Sequence, residues 1–195
     1  SSAVLNNYKN FTLGISMLKL HIANKNYSSW SLRPWAVLKA GNIPFEEIIH
    51  PFPEAGVWAE YRQFSPSGKV PCLEDGSIVV WDSLAIVEYL AEHFPHIWPS
   101  DKTARAWARC AAAEMHSGFQ TLRNTCAMSC GLRIELKEIS PALQTDINRI
   151  DELWLQGLQT FGGPFLAGKD FSAVDAFFAP VVFRAQTYEL PLSPA

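Results

Sequence analysis

The chain has 195 residues, of which 48% are hydrophobic and 18% are charged, and its formal net charge is −3. These proportions predict one domain or two small ones with a packed core, and they exclude a disordered chain. The small negative charge gives no electrostatic footprint for nucleic acid or an anionic membrane, and no apolar run approaches the roughly 18 residues of a membrane span. We therefore expect no nucleic-acid partner and no membrane insertion.

Residues 1–16 lack the basic start and the long apolar stretch of a secretory signal. Met17 stands directly before a strand-like segment, so we interpret residues 1–16 as an upstream extension or a cloning remnant. The four cysteines form no CxxC pair, and a disulfide-stapled domain would be shorter and richer in cysteine. We therefore expect reduced thiols in a cytoplasmic protein, and no metal site.

The first half of the chain alternates predicted strands and helices. In chain order we predict a strand at 18–23, a helix at 31–40, a strand within 44–52, a short helix at 56–64, strands at 70–74 and 77–81, and an amphipathic helix at 82–94. Pro34 is expected in the first turn of the first helix and Gly41 at its end, with Asp75-Gly76 in a hairpin turn. This order is typical of a small α/β domain, here residues 17–95.

Residues 95–102 contain two prolines and are interpreted as a linker. After them no strand pattern appears, and the Ala-rich segment 101–130 predicts helix. The second domain, residues 101–195, is therefore expected to be all-helical.

Two further helices are predicted in that domain. Ser140 is an N-cap candidate for a helix that runs to about Phe161, because apolar residues recur at spacings of three and four. Ser172 and Asp175 have the spacing of a capping box, which opens an apolar and therefore buried helix over 173–186.

The loop NYSSWSLR (26–33) places the hydroxyls of Ser28 and Ser29 at a helix N-terminus. Backbone N–H groups and the helix dipole favour an anion there. A hydroxyl in that position can donate to a bound thiolate and lower the pKa of that thiol from about 8.5. The alternative is that these serines only cap the helix.

Two more local patterns complete a candidate site. Pro71 at a strand start removes one N–H and favours a cis bond, which leaves the backbone of Val70 free to pair with an extended peptide. At the next helix start, Asp82 can accept from an ammonium group and Ser83 can hold a carboxylate. An ordinary loop proline and a simple N-cap are the alternatives. Together the three patterns describe a site for a small peptide with a thiol, an amide backbone and an amino-acid end.

With these patterns in this order, the sequence resembles the cytosolic glutathione S-transferases, nearest to their serine-type, zeta-like bacterial members. The matching segments are SSWSLR (28–33), SPSGKVPCLEDG (65–76), DSLAIVEYL (82–90) and FLAGKDFSAVDAFFAP (165–180). The resemblance implies a thioredoxin-like N-terminal domain and an all-helical C-terminal domain. It also implies glutathione as co-substrate, a role in detoxification, and a homodimer formed through the N-terminal domain and two long helices.

The resemblance also implies residue roles around the glutathione sulfur. Ser28 corresponds to the hydroxyl that activates the sulfur, with Ser29 as the alternative. Val70 corresponds to the residue whose backbone pairs with the cysteinyl unit, and Pro71 to the family's cis-proline.

The two ends of glutathione have implied partners as well. Asp82 and Ser83 correspond to the residues that hold the γ-glutamyl end, although the family usually has Glu where Asp82 stands. Lys69 is the expected partner of the glycyl carboxylate. Ser172 and Asp175 correspond to a structural folding box.

Two departures from the family pattern matter. Trp30 stands where zeta-like members have a cysteine, which argues against cysteine-based chemistry at this loop and weakens assignment to the zeta isomerase. The chain ends at LPLSPA (190–195), earlier than the family usually does, so we expect a last helix to be missing.

The second substrate is expected between the domains, against a helical wall over 114–130. His116, Phe119 and Arg123 follow one another at spacings of three and four on that wall. Arg123 is the candidate for holding an anionic substrate, and a surface or interface arginine is the alternative.

Three functions follow. The first is a glutathione transferase, in which Ser28 favours the thiolate that attacks a small electrophile or a peroxide. The second is a glutathione-dependent cis–trans isomerase of the maleylacetoacetate type. The third, from a different class, is a non-catalytic module that kept the fold for binding.

Overall fold

The computed structural model describes residues 17–52 and 59–194. The strands are β1 (Leu18–Ile22), β2 (Phe45–Ile49), β3 (Cys72–Asp75) and β4 (Ile78–Trp81). The helices are α1 (Ser29–Ala40), α2 (Ser83–His93), α3 (Lys102–Ser117), α4 (Gln120–Thr125), α5 (Pro141–Phe161) and α6 (Ala173–Tyr188). None of the helices in the described residues is long and apolar enough to cross a membrane.

The four strands form one mixed sheet in the order β2-β1-β3-β4. β1 and β2 are parallel and are joined by α1, whereas β3 runs antiparallel to β1 and β4 antiparallel to β3. Gly76, with a φ of 59°, forms the predicted hairpin turn between β3 and β4. The predicted strands of the first half are thus confirmed.

The predicted start of the first helix is wrong by two residues. Ser28 is the N-cap and its side chain accepts from the N–H of Ser31, so α1 begins at Ser29. Pro34 therefore lies in the second turn, not in the first, because the serine cap acts before the position that the proline suggested. Gly41 ends the helix as predicted.

The predicted short helix at 56–64 lies partly outside the described residues. Its described part forms a single 3₁₀ turn, Tyr61–Gln63. The segment predicted as a linker, residues 95–102, is partly buried. It forms a second 3₁₀ turn, Pro95–Ile97, and Ile97 and Trp98 are only 4% and 2% exposed. The two apolar side chains between Pro95 and Pro99 anchor this segment in the core.

The prediction of helix over 101–130 is confirmed for 102–117 and 120–125 and is wrong for 126–130. α3 ends at Ser117, and Phe119 adopts a left-handed conformation with a φ of 58°. α4 then lasts only to Thr125, and residues 126–139 contain no helix or strand. The Ser-Gly pair at 117–118 breaks the helix that the alanines favour, since glycine is a weak helix former.

The long helices of the second half form as predicted. The Ser140 hydroxyl accepts from the N–H of Leu143 to start α5, and Ser172 with Asp175 forms the capping box that starts α6. α6 packs against both α1 and α3, and its Phe177 and Phe178 are 0% and 1% exposed. The core therefore runs without interruption from the sheet layer into the helices.

One glycine is placed by close packing. Gly157 is buried in the middle of α5. A Cβ at this position would lie 2.4 Å from the backbone oxygen of Leu166 and 2.5 Å from the Trp107 ring of α3. The crossing of α3 and α5 therefore leaves no room for a side chain at residue 157.

Candidate functional site

The three predicted patterns meet at one edge of the sheet. His21 of β1 pairs with Cys72 of β3, and Cys72 pairs with Trp81 of β4. The end of β1, the start of β3 and the end of β4 therefore lie side by side. The loop before α1, the Val70-Pro71 peptide and the start of α2 adjoin these strand ends directly.

Ser28 lies at this edge and is 9% exposed. Its Oγ accepts from the N–H of Ser31 at 3.4 Å and donates to the Oγ of Ser31 at 2.8 Å. The Ser31 Oγ also accepts from the N–H of Ala23 at 3.1 Å. The Ser28 hydroxyl thus donates its hydrogen bond to Ser31 within the loop. It must rotate away from Ser31 before it can donate to a ligand. Ser29 is half-buried, and its hydroxyl makes no hydrogen bond with the described residues.

The segment before β3 presents free backbone groups. The Val70-Pro71 peptide bond is cis, and the N–H and C=O of Val70 make no hydrogen bond with any residue that the structure describes. Lys69 is exposed, and serines hold its backbone: Ser65 Oγ donates to its C=O at 2.6 Å, and its N–H donates to Ser67 Oγ at 3.2 Å. An extended peptide can pair with Val70 while Lys69 remains available to a carboxylate.

Asp82 caps α2 in an unusual backbone conformation. Its φ is 78°, in the left-handed region that residues other than glycine rarely adopt. Its Oδ1 accepts from the N–H of Leu84 at 2.9 Å and of Ala85 at 3.3 Å, which holds the residue in place. Ser83 follows and is 1% exposed. Strained caps of this kind are found at ligand sites, and this helix N-terminus favours a carboxylate.

His116 of α3 reaches across to the start of α2. Its Nε2 lies 3.2 Å from Oδ2 of Asp82, and its Nδ1 lies 3.3 Å from Nη1 of Arg33. Because a guanidinium only donates, Nδ1 accepts, and the neutral ring carries its proton on Nε2, which donates to Asp82. Burial lowers the pKa of His116 below 6.5; Asp82 opposes this shift, and Arg33 and Arg123 add to it.

Arg33 is buried behind the site, with an exposure of 1%. Its Nη1 also donates to the Ser83 Oγ at 3.3 Å, and its guanidinium packs against the rings of Trp30 and Phe177, 4.3 and 4.9 Å from their centroids. Burial and two neighbouring arginines lower its pKa to about 9. No carboxylate among the described residues bonds to it, so an anion nearby would stabilise its charged form.

Two more arginines surround this position. Arg123 of α4 lies over the Trp30 ring at 4.7 Å and donates to the last carbonyls of α3, at 3.0 Å to that of His116. Arg184 of α6 is 6% exposed and donates to the backbone oxygen of Cys126. Helix-end carbonyls thus offset part of the charge of Arg123. The surface around Trp30 remains cationic.

Of the three residues predicted to line the second-substrate wall, two lie beside Trp30 and one is buried in the core. His116 and Arg123 both lie against Trp30, whereas Phe119 is 7% exposed and belongs to the core. Arg33 and Arg184 lie in no sequence pattern that predicts a role for them. No local pattern reveals them, because charged residues are rarely fully buried and the contact of Arg33 with His116 spans 83 positions.

Comparison with known families and sequences identifies relatives of the chain. Residues 27–93 match the model of the glutathione S-transferase N-terminal domain. A maleylacetoacetate isomerase of Rattus norvegicus is 30% identical over 138 residues, which cover 69% of this chain and 62% of the rat protein. A zeta-class glutathione S-transferase of Euphorbia esula is 29% identical over 173 residues, or 87% of this chain and 77% of the plant protein.

Solved structures show the same architecture. A glutathione S-transferase from the Antarctic clam Laternula elliptica has a TM-score of 0.59 and 25% identity, covering 86% of this chain and 77% of the clam chain. A maleylacetoacetate isomerase from Anaeromyxobacter dehalogenans has a TM-score of 0.63 and 23% identity, covering 94% and 82%. A glutathione transferase homologue from Burkholderia, solved with bound glutathione, has a TM-score of 0.63 and 20% identity, covering 92% and 86%. The predicted thioredoxin-like sheet layer followed by helices is thereby confirmed.

Proposed function

We propose that this chain, which belongs to the glutathione S-transferase family of enzymes, is itself a glutathione transferase that activates the thiol with a serine hydroxyl. Glutathione is the co-substrate, and the second substrate is a small electrophile or a peroxide bound beside Trp30. The zeta-class relatives and the glutathione-bound Burkholderia homologue support this assignment.

One observation carries the proposal: three groups suited to three parts of glutathione lie along a single sheet edge. Ser28 at the start of α1 is suited to the thiol, and the unpaired backbone of Val70 to the cysteinyl amide. Asp82 and Ser83 at the start of α2 are suited to the ammonium and the carboxylate of the γ-glutamyl end. Lys69 is the proposed partner of the glycyl carboxylate.

The proposed step is a proton loss followed by nucleophilic attack. The N-terminus of α1 favours negative charge, and the Ser28 hydroxyl donates to the sulfur once it turns away from Ser31. The thiolate then forms a carbon–sulfur bond with the electrophile, whose leaving group departs with the bonding electrons. With a peroxide, the sulfur instead attacks one oxygen and becomes a sulfenic acid, while the O–O bond breaks and the other oxygen leaves as an alcohol after it takes a proton from water. Ser28 is a hydrogen-bond donor in this step and forms no covalent intermediate.

The test is the ultraviolet thiolate difference spectrum of bound glutathione across pH, with Ser28→Ala beside the wild type. We expect a lowered thiol pKa in the wild type that Ser28→Ala loses together with turnover, while most of the glutathione affinity remains. Ser29→Ala is the matched control. Equal activity of Ser28→Ala contradicts the assignment and transfers the role to Ser29. Binding without any thiolate signal would instead support the non-catalytic module.

A second candidate function is a glutathione-dependent cis–trans isomerase. The relatives named maleylacetoacetate isomerase favour it. The positive charges of partly exposed Arg123 beside Trp30 and of buried Arg33 behind it also suit an acidic substrate. Reversible addition of the thiolate to a conjugated double bond, rotation and elimination would return glutathione unchanged. A substrate panel that contains a cis-dienoic diketo acid beside a neutral electrophile separates the two activities.

We also propose a cytoplasmic homodimer. The four cysteines are free in this structure, which fits a reducing compartment. The edge strand β4 exposes three large apolar side chains, and such edges are usually covered: Ile78 (49%), Val79 (36%) and Trp81 (46%). Light scattering coupled to size exclusion tests the dimer, and a monomer at micromolar concentration contradicts it.

A further inference from the structure

His116 occupies an oxygen that the proposed function assigns to the ligand. Asp82 is expected to accept from the ammonium group at the γ-glutamyl end of glutathione. Its Oδ1 already binds the N–H groups that open α2, and its Oδ2 lies 3.2 Å from Nε2 of His116. Since the cap bonds occupy Oδ1, Oδ2 is the oxygen that remains for the ammonium, which must share it with His116 or displace the ring.

The surroundings of His116 determine how this contact changes with protonation. It is faced by the Asp82 carboxylate from the start of α2, Arg33 of α1, Arg123 of α4, and the uncharged rings of Trp30 and Phe177. A neutral ring gives Asp82 an ordinary hydrogen bond, which an ammonium can replace. A protonated ring turns the same contact into an ion pair and adds a positive charge that repels the incoming ammonium.

We propose that His116 is a pH-dependent gate on the ammonium end of the glutathione site. The inference rests on the proposed function, because it takes glutathione as the ligand. Protonated His116 and the ligand ammonium are two positive charges beside the same Oδ2 of Asp82, so each weakens the binding of the other. By linkage, glutathione affinity falls as the pH drops through the titration of His116, and bound glutathione in turn disfavours its protonation. His116 thereby acts as a positioning residue that joins α3 to the glutathione site.

The test measures binding of S-methylglutathione by calorimetry between about pH 5 and pH 8, the range in which histidine titrates. The blocked sulfur of this ligand cannot ionise, so thiol chemistry does not contribute. We expect the wild-type Kd to rise toward a limit of about tenfold per pH unit on the acid side of the titration. His116→Gln keeps an amide donor for Asp82 but cannot be protonated, so its Kd stays level.

Two controls isolate the contact. His96→Gln, a change of an exposed histidine away from the site, retains the wild-type profile. An S-methylglutathione analogue without the γ-glutamyl amino group has no ammonium to exclude, so its Kd on the wild type stays level; this arm needs no variant.

The outcomes separate the gate from the proposed function. An equally steep profile in His116→Gln, or with the amino-free analogue, overturns the gate and leaves the proposed function standing. If S-methylglutathione does not bind at any pH, the proposed function fails and the gate falls with it.

Discussion

Asp82 and Asp175 each stabilise the start of a helix, and the two side chains lie in opposite surroundings. Asp175, at the start of α6, accepts only from its own loop: its Oδ1 from the N–H of Leu166 and its Oδ2 from the N–H of Ser172, both at 2.9 Å. Asp82, at the start of α2, binds the helix with one oxygen and the His116 side chain with the other. Its side chain is 46% exposed.

The difference lies in what the second carboxylate oxygen meets. Backbone N–H groups cannot leave Asp175 without unfolding the loop, so that carboxylate can only be structural. Burial raises the pKa of Asp175 even though hydrogen bonds from backbone N–H groups and from the Ser172 hydroxyl oppose the shift. A side chain can leave Asp82, so that carboxylate can exchange partners. An acidic cap is thus a candidate ligand group when its spare oxygen faces a replaceable partner.

The largest expected effect is on the structural cap. Asp175→Ala leaves the N–H groups of Leu166 and Ser172 without partners, so we expect the free energy of unfolding to fall by about 3 kcal/mol. Urea denaturation measures this, with Asp170→Ala, a change of an exposed acid nearby, as the control. The folded fraction should bind glutathione normally. If the two variants are equally stable, the capping box does not organise this loop.

A smaller effect, and on binding instead of stability, is expected at the other cap. Asp82→Asn keeps an acceptor for the helix N–H groups but removes the negative charge. We expect the stability to change by less than about 0.5 kcal/mol and the glutathione Kd to rise about tenfold. Calorimetry at neutral pH measures the affinity, and Glu92→Gln on the same helix is the control. A loss of stability without a loss of affinity would make Asp82 a structural cap like Asp175.

The smallest effect concerns pH and stability. Burial lowers the pKa of folded His116 below 6.5, so the folded state binds fewer protons than the unfolded chain. The neutral His116 ring therefore adds to the free energy of unfolding above pH 6.5, and this addition is lost as the pH falls through the lowered pKa. Urea midpoints should therefore drop less on acidification in His116→Gln than in the wild type. The pKa of His50 is lowered as well, so part of the slope remains in the variant. Identical slopes would show that His116 titrates alike in both states.

The sequence allowed prediction of those features that short segments determine. Ser140, Ser172 with Asp175, and the turn at Gly76 each act within three or four residues, and each forms as expected. The grouping of Ser28 and Asp82 into one candidate site was predicted from the local motifs and the family resemblance, and the structure brings both to one edge of the sheet.

The missed features depend on packing. Phe119 takes a left-handed conformation because the chain turns between α3 and α4, which overrides the helix preference of the alanines before it. Arg33 is buried because α6 brings Phe177 and α3 brings His116 onto it, and neither contact has a local signal. Assembly of distant helices therefore creates the cationic part of the site.

The packing at Gly157 restricts which substitutions this chain can accept during evolution. A methyl group at residue 157 is blocked by the Trp107 ring and also by the backbone oxygen of Leu166. A smaller side chain in place of Trp107 would remove only the contact with the ring. The main chain at Leu166, before α6, would also have to shift. Any lineage that enlarges residue 157 must therefore alter two helices and a loop, and each single step passes through a less stable protein. The crossing of α3 and α5 is for this reason expected to change more slowly than exposed positions without an assigned role, such as Glu92 and Asp170.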